Sequence, residues 1–127
     1  MQKLKSRILL VDDRATLLHT YRLILQQQGH DVISAGSYGE AIQHLDVSDF
    51  DVLLCDYGLD GSFCGFDVID YARTKMPNIR SLLLTGFGSE EVAEQAEERG
   101  VKVLFKPIGV HELLKTIAEG RVERAIA

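Results

Sequence analysis

Five short apolar runs at similar intervals limit what this chain can fold into more than any other feature of its sequence. They occupy residues 8–11, 31–35, 52–55, 81–84 and 102–105, and each has the length of a β-strand. The segments between them repeat apolar residues at the helical period, as Leu17, Tyr21 and Ile24 do in the first. Nearly continuous apolar strands that alternate with amphipathic helices indicate a parallel sheet covered on both faces. The sequence therefore predicts an α/β fold built from repeated βα units.

Several helix ends are marked by residues that favour them. Gly29 and Gly100 stand where the first and fourth helices should end, because glycine tolerates the left-handed conformation common there. Ser89, followed by two glutamates, marks the start of the fourth helix. That helix has only a narrow apolar stripe, which consists of Val92, Ala93 and Ala96. Such a stripe predicts either a weakly held, mobile helix or an ordinary helix with a solvated acidic face.

Length and charge restrict the classes of function. A chain of 127 residues can bury one sizeable core, so we expect a single domain over residues 1–127. The net charge of -5, without clustered Lys or Arg, argues against direct binding of nucleic acid. The apolar runs are far shorter than the roughly 18 residues of a membrane span, and the first residues lack the pattern of a signal peptide. These features predict a cytoplasmic protein without a membrane partner. Cys55 and Cys64 form no metal-binding or redox motif.

The polar residues that follow the apolar runs would meet at one edge of such a sheet. Asp12 and Asp13 follow the first run, Asp56 the third, Thr85 the fourth and Lys106 the fifth. Ligands of open parallel sheets bind at the carboxyl ends of the strands. Three carboxylates in one place repel one another unless a cation neutralises them, and oxygen ligands in that number suit Mg²⁺ or Mn²⁺. With a lysine and a hydroxyl opposite the acids, the set has the parts of a phosphoryl-transfer site.

Each of these residues also has an ordinary structural interpretation. Asp13 could serve only as the N-cap of the first helix, since an acid after a strand often does so. Lys106 alone would be a solvated surface lysine, and Thr85 a turn residue. The occurrence of all five residues at the same end of four predicted strands favours the functional interpretation.

Four motifs resemble those of a known family. They are VDD (residues 11–13), LLCD (53–56), LLLTGFG (82–88) and LFKP (104–107). As a set they resemble the receiver domains of bacterial response regulators, and the similarity covers essentially the whole chain. The expected fold is a flavodoxin-like three-layer sandwich, with a five-stranded parallel sheet in the order 2-1-3-4-5 and helices on both faces.

The resemblance also implies a role for each matching residue. Asp56 would accept a phosphoryl group from a histidine of a partner kinase or phosphotransfer protein. The ligands of Mg²⁺ would be Asp12, Asp13, Asp56 and the backbone carbonyl of Gly58. Asp12 and Asp13 would either both bind the ion directly, or one of them would bind it through a water molecule. The groups that face the phosphoryl group would be Thr85, Gly86 and Lys106. The peptide bond before Pro107 is a candidate cis bond, a form found almost only at proline.

The chain departs from the family pattern after Asp56 and on the last strand. Where the family commonly has Pro, Leu59 is followed by Asp60, which is either a turn residue or a further contact of the metal shell. The glycine expected before the third helix is displaced to Gly65, so the loop is one residue longer. Val103 stands where the family commonly has the Tyr or Phe that switches together with Thr85. Because valine is stiff and lacks a ring, we expect an atypical switch.

The predicted function is a phosphorylation-controlled signalling module rather than a turnover enzyme, with slow hydrolysis of its own acyl phosphate. A downstream effector protein or domain would read the change, and a phosphorylation-dependent dimer is one form that this could take. A phosphatase of the haloacid dehalogenase type is a rival, but it requires a DxD spacing and Asp12 and Asp13 are adjacent. A degenerate receiver that only binds proteins is a second rival, disfavoured by the complete set of site residues. Both a stand-alone receiver and a part of a larger regulator or hybrid kinase fit the sequence.

Overall fold

The described part of the chain forms one five-stranded parallel sheet with helices on both faces. The computed structural model describes residues 5–86 and 88–126, and the side chains of residues 5–86 and 88–119. In chain order the elements are β1 (Arg7–Val11), α1 (Ala15–Gln27), β2 (Asp31–Ala35), α2 (Tyr38–Val47), β3 (Val52–Asp56), α3 (Gly65–Lys75), β4 (Arg80–Thr85), α4 (Glu90–Arg99), β5 (Lys102–Phe105) and α5 (Val110–Ile126). The strand order is β2-β1-β3-β4-β5, which confirms the predicted topology.

Neighbouring strand residues pack into two different cores. Leu9 and Leu53 belong to a cluster with buried residues of α2, α3 and α4. Leu10 and Leu54, the next residues along the same strands, belong to a second cluster with buried residues of α1 and α5. Because successive side chains of a strand point to opposite faces, a sheet covered on both sides needs apolar residues at every position. This requirement explains the continuous apolar runs in the sequence.

The strand register brings the carboxyl ends of the strands to one edge. Val11 of β1 pairs with Cys55 of β3. Asp56 pairs with Leu84 of β4, and Thr85 pairs with Phe105 of β5. The residues that follow these strands therefore emerge side by side.

Helix α4 begins and ends as its residues predict, but it buries less than expected. The Ser89 side chain accepts a hydrogen bond from the backbone N–H of Val92, and Gly100 ends the helix with a left-handed φ of 64°. Val92 and Ala96 are buried, whereas Ala93 is exposed, so the inclusion of Ala93 in the buried stripe was wrong. Residues four apart share a helix face, while a neighbouring residue is turned by about 100°. None of the helices in the described part of the chain combines the length and apolar character needed to cross a lipid bilayer.

Candidate functional site

A cleft opens at the carboxyl edge of the sheet. It is lined by Asp13, Arg14, Asp56, Tyr57, Gly58, Asp60, Thr85, Gly86 and Lys106. Its volume of about 660 Å³ leaves room for a hydrated cation together with a phosphoryl group. Most of the predicted site residues thus share one open cleft, although they come from the ends of four different strands and the loops that follow them.

Lys106 pairs with two acids, Asp56 of the cleft and the buried Asp12. Its Nζ lies 2.8 Å from Oδ1 of Asp56 and 3.0 Å from Oδ2 of Asp12. Only 9% of the lysine side chain is exposed, so its interpretation as a solvated surface lysine is wrong. The backbone N–H of Lys106 donates to the carbonyl of Thr85 at 2.8 Å, which fixes the start of the side chain at the sheet edge. A cation is tolerated in such a place because carboxylates pair with it.

Asp12 and Asp13 have different environments although they are adjacent. Asp12 is fully buried; its Oδ1 accepts the backbone N–H of Arg14 at 2.9 Å, and its Oδ2 faces Lys106. Asp13 is half-buried and lines the cleft. The N-cap of α1 is Arg14, so the interpretation of Asp13 as a mere helix cap is wrong. Asp13 presents its carboxylate to the cleft, whereas both oxygens of Asp12 already have partners.

The surroundings of Asp56 oppose its ionisation. Burial raises the pKa of Asp56 above its ordinary value, the charges of Asp12 and Asp13 raise it further, and the hydrogen bond from Lys106 offsets only part of this. Burial also acts to lower the pKa of Lys106, but the hydrogen bonds to Asp56 and Asp12 outweigh it and the net shift is upward. The lysine is therefore a fixed positive charge, and Asp56 would gain from a second cation.

The loop between β3 and α3 brings Gly58 and Asp60 to the cleft. Gly58 pairs with Cys64 in an isolated antiparallel bridge, and the N–H of Gly65 donates to the carbonyl of Tyr57 at 2.8 Å. The two ends of the loop are thereby bonded to each other. The departure from the family pattern lies in the exposed segment between them.

Gly65 allows α3 to start directly on the end of β3. A Cβ atom at this position would lie 2.5 Å from the carbonyl oxygen of Asp56 and 2.7 Å from Cδ1 of Leu83. Real Cβ atoms essentially never come so close to other heavy atoms. The displaced glycine is thus required by close approach of backbone to backbone.

Thr85 and Gly86 form the part of the cleft wall that follows β4. Thr85 is buried, with 3% of its surface exposed, so it does not behave as an ordinary turn residue. Directly after the neighbouring strand β5, the peptide bond between Lys106 and Pro107 is cis.

Val103, the predicted switch residue, lies on β5 opposite Leu83 and is half-buried against the core that includes α4. The ring on this strand belongs to Phe105, which is 58% exposed. A Cβ atom on Gly88 would lie 2.7 Å from Cε1 of Phe105, so the ring lies against the connection that leads to α4. Val103 therefore contributes to the core, while an aromatic side chain at a different position faces solvent.

Arg14 and Tyr57 also line the cleft, and the sequence did not single them out. Each directly follows a predicted site residue, Asp13 and Asp56 respectively. Adjacency to a strand-end acid is the signal that could have found them.

The acidic cluster suits a divalent metal ion. One carboxylate oxygen from each of Asp12, Asp13 and Asp56 lies within 4.8 Å of the others. Together with Lys106, three negative charges and one positive charge leave two negative charges, which a divalent cation balances. Carboxylate oxygens are the donors that Mg²⁺ prefers. These residues therefore fit the metal expected from the sequence.

The chain belongs to the response regulator receiver domain family, whose model matches residues 8–118. This assignment agrees with the parallel sheet, its strand order and the acidic cleft at its carboxyl edge. The family forms a signalling domain of two-component systems.

Individual relatives support the same assignment. The alginate biosynthesis transcriptional regulatory protein AlgB of Pseudomonas aeruginosa is 34% identical over 110 residues, which cover 86% of this chain and 24% of AlgB. The response regulator protein PilR of the same organism is 30% identical over 90% of this chain and 26% of its own length. The chain thus spans about a quarter of the length of these curated relatives. The CheY-like receiver domain protein from Methanospirillum hungatei JF-1 superposes with a TM-score of 0.89 at 27% identity, over 96% of this chain and 98% of that one.

Proposed function

We propose that Asp56 accepts a phosphoryl group from a phosphohistidine of a kinase or phosphotransfer protein, with Mg²⁺ bound beside it, and that the modification changes a protein-binding face. One observation supports this most directly. The Asp56 carboxylate lines an open cleft, 2.8 Å from a protonated lysine and within 4.8 Å of two further carboxylates. A nucleophile between a fixed cation and a cation-binding cluster is the arrangement that phosphoryl transfer requires.

The transfer itself needs little covalent help from the protein. A carboxylate oxygen of Asp56 would attack phosphorus, and the new P–O bond forms as the P–N bond breaks and its electron pair returns to the histidine ring. Groups that would contact the phosphoryl oxygens are Lys106, the Thr85 hydroxyl and the Gly86 backbone. Lys106 already points at Asp56 and would need only a small movement to pair with the phosphoryl group.

Bound Mg²⁺ would supply positive charge to the phosphoryl oxygens. The groups that would hold it are Asp13, Asp56 and the Gly58 carbonyl. Asp12 would act through a water molecule, because both of its oxygens already accept hydrogen bonds within the protein. Manganese offers the same oxygen-ligand chemistry.

The chain would act as a signalling module and not as a turnover enzyme. Its acyl phosphate would hydrolyse slowly, since no second nucleophile is part of the proposed set. A phosphatase would instead release phosphate repeatedly from one donor molecule after another. The proposed partners are a histidine kinase or phosphotransfer protein upstream and an effector protein or domain downstream, and dimerisation on phosphorylation is one form of the output.

Phosphorylation by a small donor tests the proposal. Incubation with Mg²⁺ and acetyl phosphate should add a single phosphoryl group by mass, and Asp56→Asn should abolish the addition. Asp60→Asn is the matched control, because Asp60 is an exposed carboxylate that lines the same cleft. It should be labelled like the parent. Equal labelling of Asp56→Asn and the parent would contradict the proposal.

A further inference from the structure

Two aromatic rings that the proposed chemistry does not use are stacked beside the β3–α3 loop. The ring centroids of Tyr38 and Phe63 lie 3.8 Å apart, and the ring planes are inclined by only 5°. Tyr38 is the first residue of α2, and Phe63 stands near the end of the loop. The stack therefore joins a helix to the loop segment that departs from the family pattern.

The two members of the stack are held differently. Tyr38 packs against the buried core cluster, and its helix start is fixed by Ser37, whose side chain accepts the N–H of Glu40 at 3.1 Å. Phe63 is 44% exposed. The Tyr38 ring is thus held by the core, and the more exposed Phe63 ring is held by stacking on Tyr38.

The stack is connected to the metal-binding edge through backbone bonds. Phe63 immediately precedes Cys64, which pairs with Gly58 across the loop. Between them the chain passes through Gly61, which has a φ of 87° that other residues rarely adopt. Residues 60–62 are exposed. The conformation of residues 60–62 therefore depends on contacts at the two ends of the segment. Phe63, next to Cys64, provides one of these contacts.

We propose that Tyr38 and Phe63 are positioning residues, whose stack holds the β3–α3 loop so that the Gly58 carbonyl is ready to receive the metal ion. The inference rests on the proposed function, since the metal ion is part of it. A ligand that is already in place does not have to be ordered when the ion binds, and preorganisation of this kind raises affinity. Neither the Tyr38 ring nor the Phe63 ring would contact the reacting atoms.

Removal of the Phe63 ring should weaken Mg²⁺ binding without unfolding the protein. In calorimetric titrations with MgCl₂ alone, Phe63→Ala should bind Mg²⁺ about two- to tenfold more weakly than the parent, the factor that corresponds to the free energy of one aromatic pair. Phe63→Tyr keeps a flat ring and should restore the parent affinity. Leu23→Ala is the matched control, because Leu23 has the same 44% exposure but lies on α1.

A second measurement tests the loop in the absence of metal. Backbone amides of residues 58–64 should exchange faster in metal-free Phe63→Ala than in the parent, while the amides of β1 and β3 should be unchanged. Tyr38→Leu, which keeps apolar packing against the core, should have the same effect as Phe63→Ala. The combination of both substitutions should add nothing further, because the two residues act as one pair.

The outcomes separate this inference from the proposed function. If the parent binds Mg²⁺ and Phe63→Ala binds it equally well, the positioning role is wrong and the phosphoacceptor proposal stands. If the parent does not bind Mg²⁺, both are wrong. Unchanged amide exchange in residues 58–64 would also overturn the positioning role, whatever the metal affinities.

Discussion

Asp56 is the residue at which the demands of folding and of chemistry conflict most directly. It is almost fully buried, and burial and neighbouring acids raise its pKa. A carboxylate in such a place costs stability whenever it is ionised and no cation other than Lys106 is near. A buried carboxylate at the sheet edge therefore lowers the stability of the chain.

This conflict predicts that Asp56→Asn stabilises the metal-free protein at pH 7. The folded-state pKa of Asp56 lies above the ordinary value of 3.8. As pH rises from the ordinary pKa of an aspartate toward the raised pKa of folded Asp56, the unfolded chain loses its proton first. The parent therefore loses stability over this pH range, while the asparagine variant does not. The variant should have the higher melting temperature at pH 7, and the difference should shrink as pH falls to 3.8 and below.

Asp49→Asn is the control for this comparison, because Asp49 is exposed between α2 and β3. Its melting temperature should follow that of the parent at every pH. A parent that is more stable than Asp56→Asn at pH 7 without metal would contradict the argument from burial.

Loss of the Lys106 ammonium group should strongly destabilise the protein. Lys106→Met leaves the fully buried Asp12 and the nearly buried Asp56 without their common partner. Removal of one member of a buried ion pair typically costs about 3–5 kcal/mol, because the remaining charge stays desolvated. Urea unfolding should detect this loss, and added Mg²⁺ should restore part of it. Lys115→Met, which removes an exposed lysine 3.9 Å from Glu119, should cost less than about 1 kcal/mol.

The convergence of the candidate site residues could be predicted from sequence because strand ends meet at one edge of a parallel sheet. What could not be predicted is the difference between Asp12 and Asp13. Both are acids, and only the direction of each side chain at the end of β1 makes one buried and the other accessible. Arg14 was also missed, since an exposed arginine after a strand carries no signal of its own.

At the scale of elements, α4 is fixed mainly at its C-terminal end. The Arg99 guanidinium donates two hydrogen bonds to Asp70 of α3, at 2.9 and 3.1 Å, and lies 4.6 Å from the centre of the Phe66 ring. Toward its N-terminal end, α4 buries Val92. The helix is therefore anchored at one end by a planar cation and held elsewhere by small apolar contacts.

This arrangement predicts that Arg99→Ala loosens α4 selectively. The bidentate pair and the cation–π contact together should contribute about 1–2 kcal/mol, because both partners are partly exposed. The free energy of unfolding should fall by this amount, and amide exchange should increase in α4 more than in α1. Lys102→Ala removes a more exposed cation from β5 and should leave α4 unchanged. Equal acceleration in α1 and α4 would indicate a global effect rather than a local anchor.

Because position 103 is a valine, we expect β5 to change its conformation only weakly when the acidic site is phosphorylated or binds beryllofluoride. A modification shifts an equilibrium only by its differential interaction with the two states, and a packed valine offers no ring that could exchange burial for exposure. Beryllofluoride with Mg²⁺ should therefore change the amide chemical shifts of residues 92–114 less in the parent than in Val103→Tyr. Val110→Tyr is the control, because Val110 is 52% exposed on α5. If the chemical-shift changes are large in the parent and equally large in Val103→Tyr, an aromatic ring at position 103 has no influence on the response.

The elements themselves were predictable to different degrees. The bounds of β2 and β5 agree with the apolar runs, although both strands lie at the edges of the sheet and are only partly buried. The Tyr38–Phe63 stack and the Arg99–Asp70 pair were not predicted. Each joins residues that lie far apart in sequence, and no local periodicity reports such a contact.

For the molecule as a whole, the cluster of negative charge at the sheet edge predicts that stability increases with added Mg²⁺. A ligand that binds only the folded state stabilises it by RT ln(1 + [L]/Kd), about 2.7 kcal/mol at a hundredfold excess over Kd. Mg²⁺ should therefore raise the melting temperature, and Mg²⁺ with beryllofluoride should raise it further. If Mg²⁺ raises the melting temperature of the variant that combines Asp12→Ala with Asp13→Ala as much as that of the parent, the assignment of the metal site is wrong.

The close approach at Gly65 has a consequence for how homologous sequences should be aligned. A larger side chain there would force the start of α3 away from the end of β3, since its Cβ would already overlap the Asp56 carbonyl. Insertions are accommodated most readily where the chain is exposed, and the longest exposed stretch of this connection is residues 60–63. An alignment that counts residues forward from Asp56 would place Gly65 opposite the wrong column. Gaps should instead be opened within 60–63, with the glycine at the helix start as the fixed landmark.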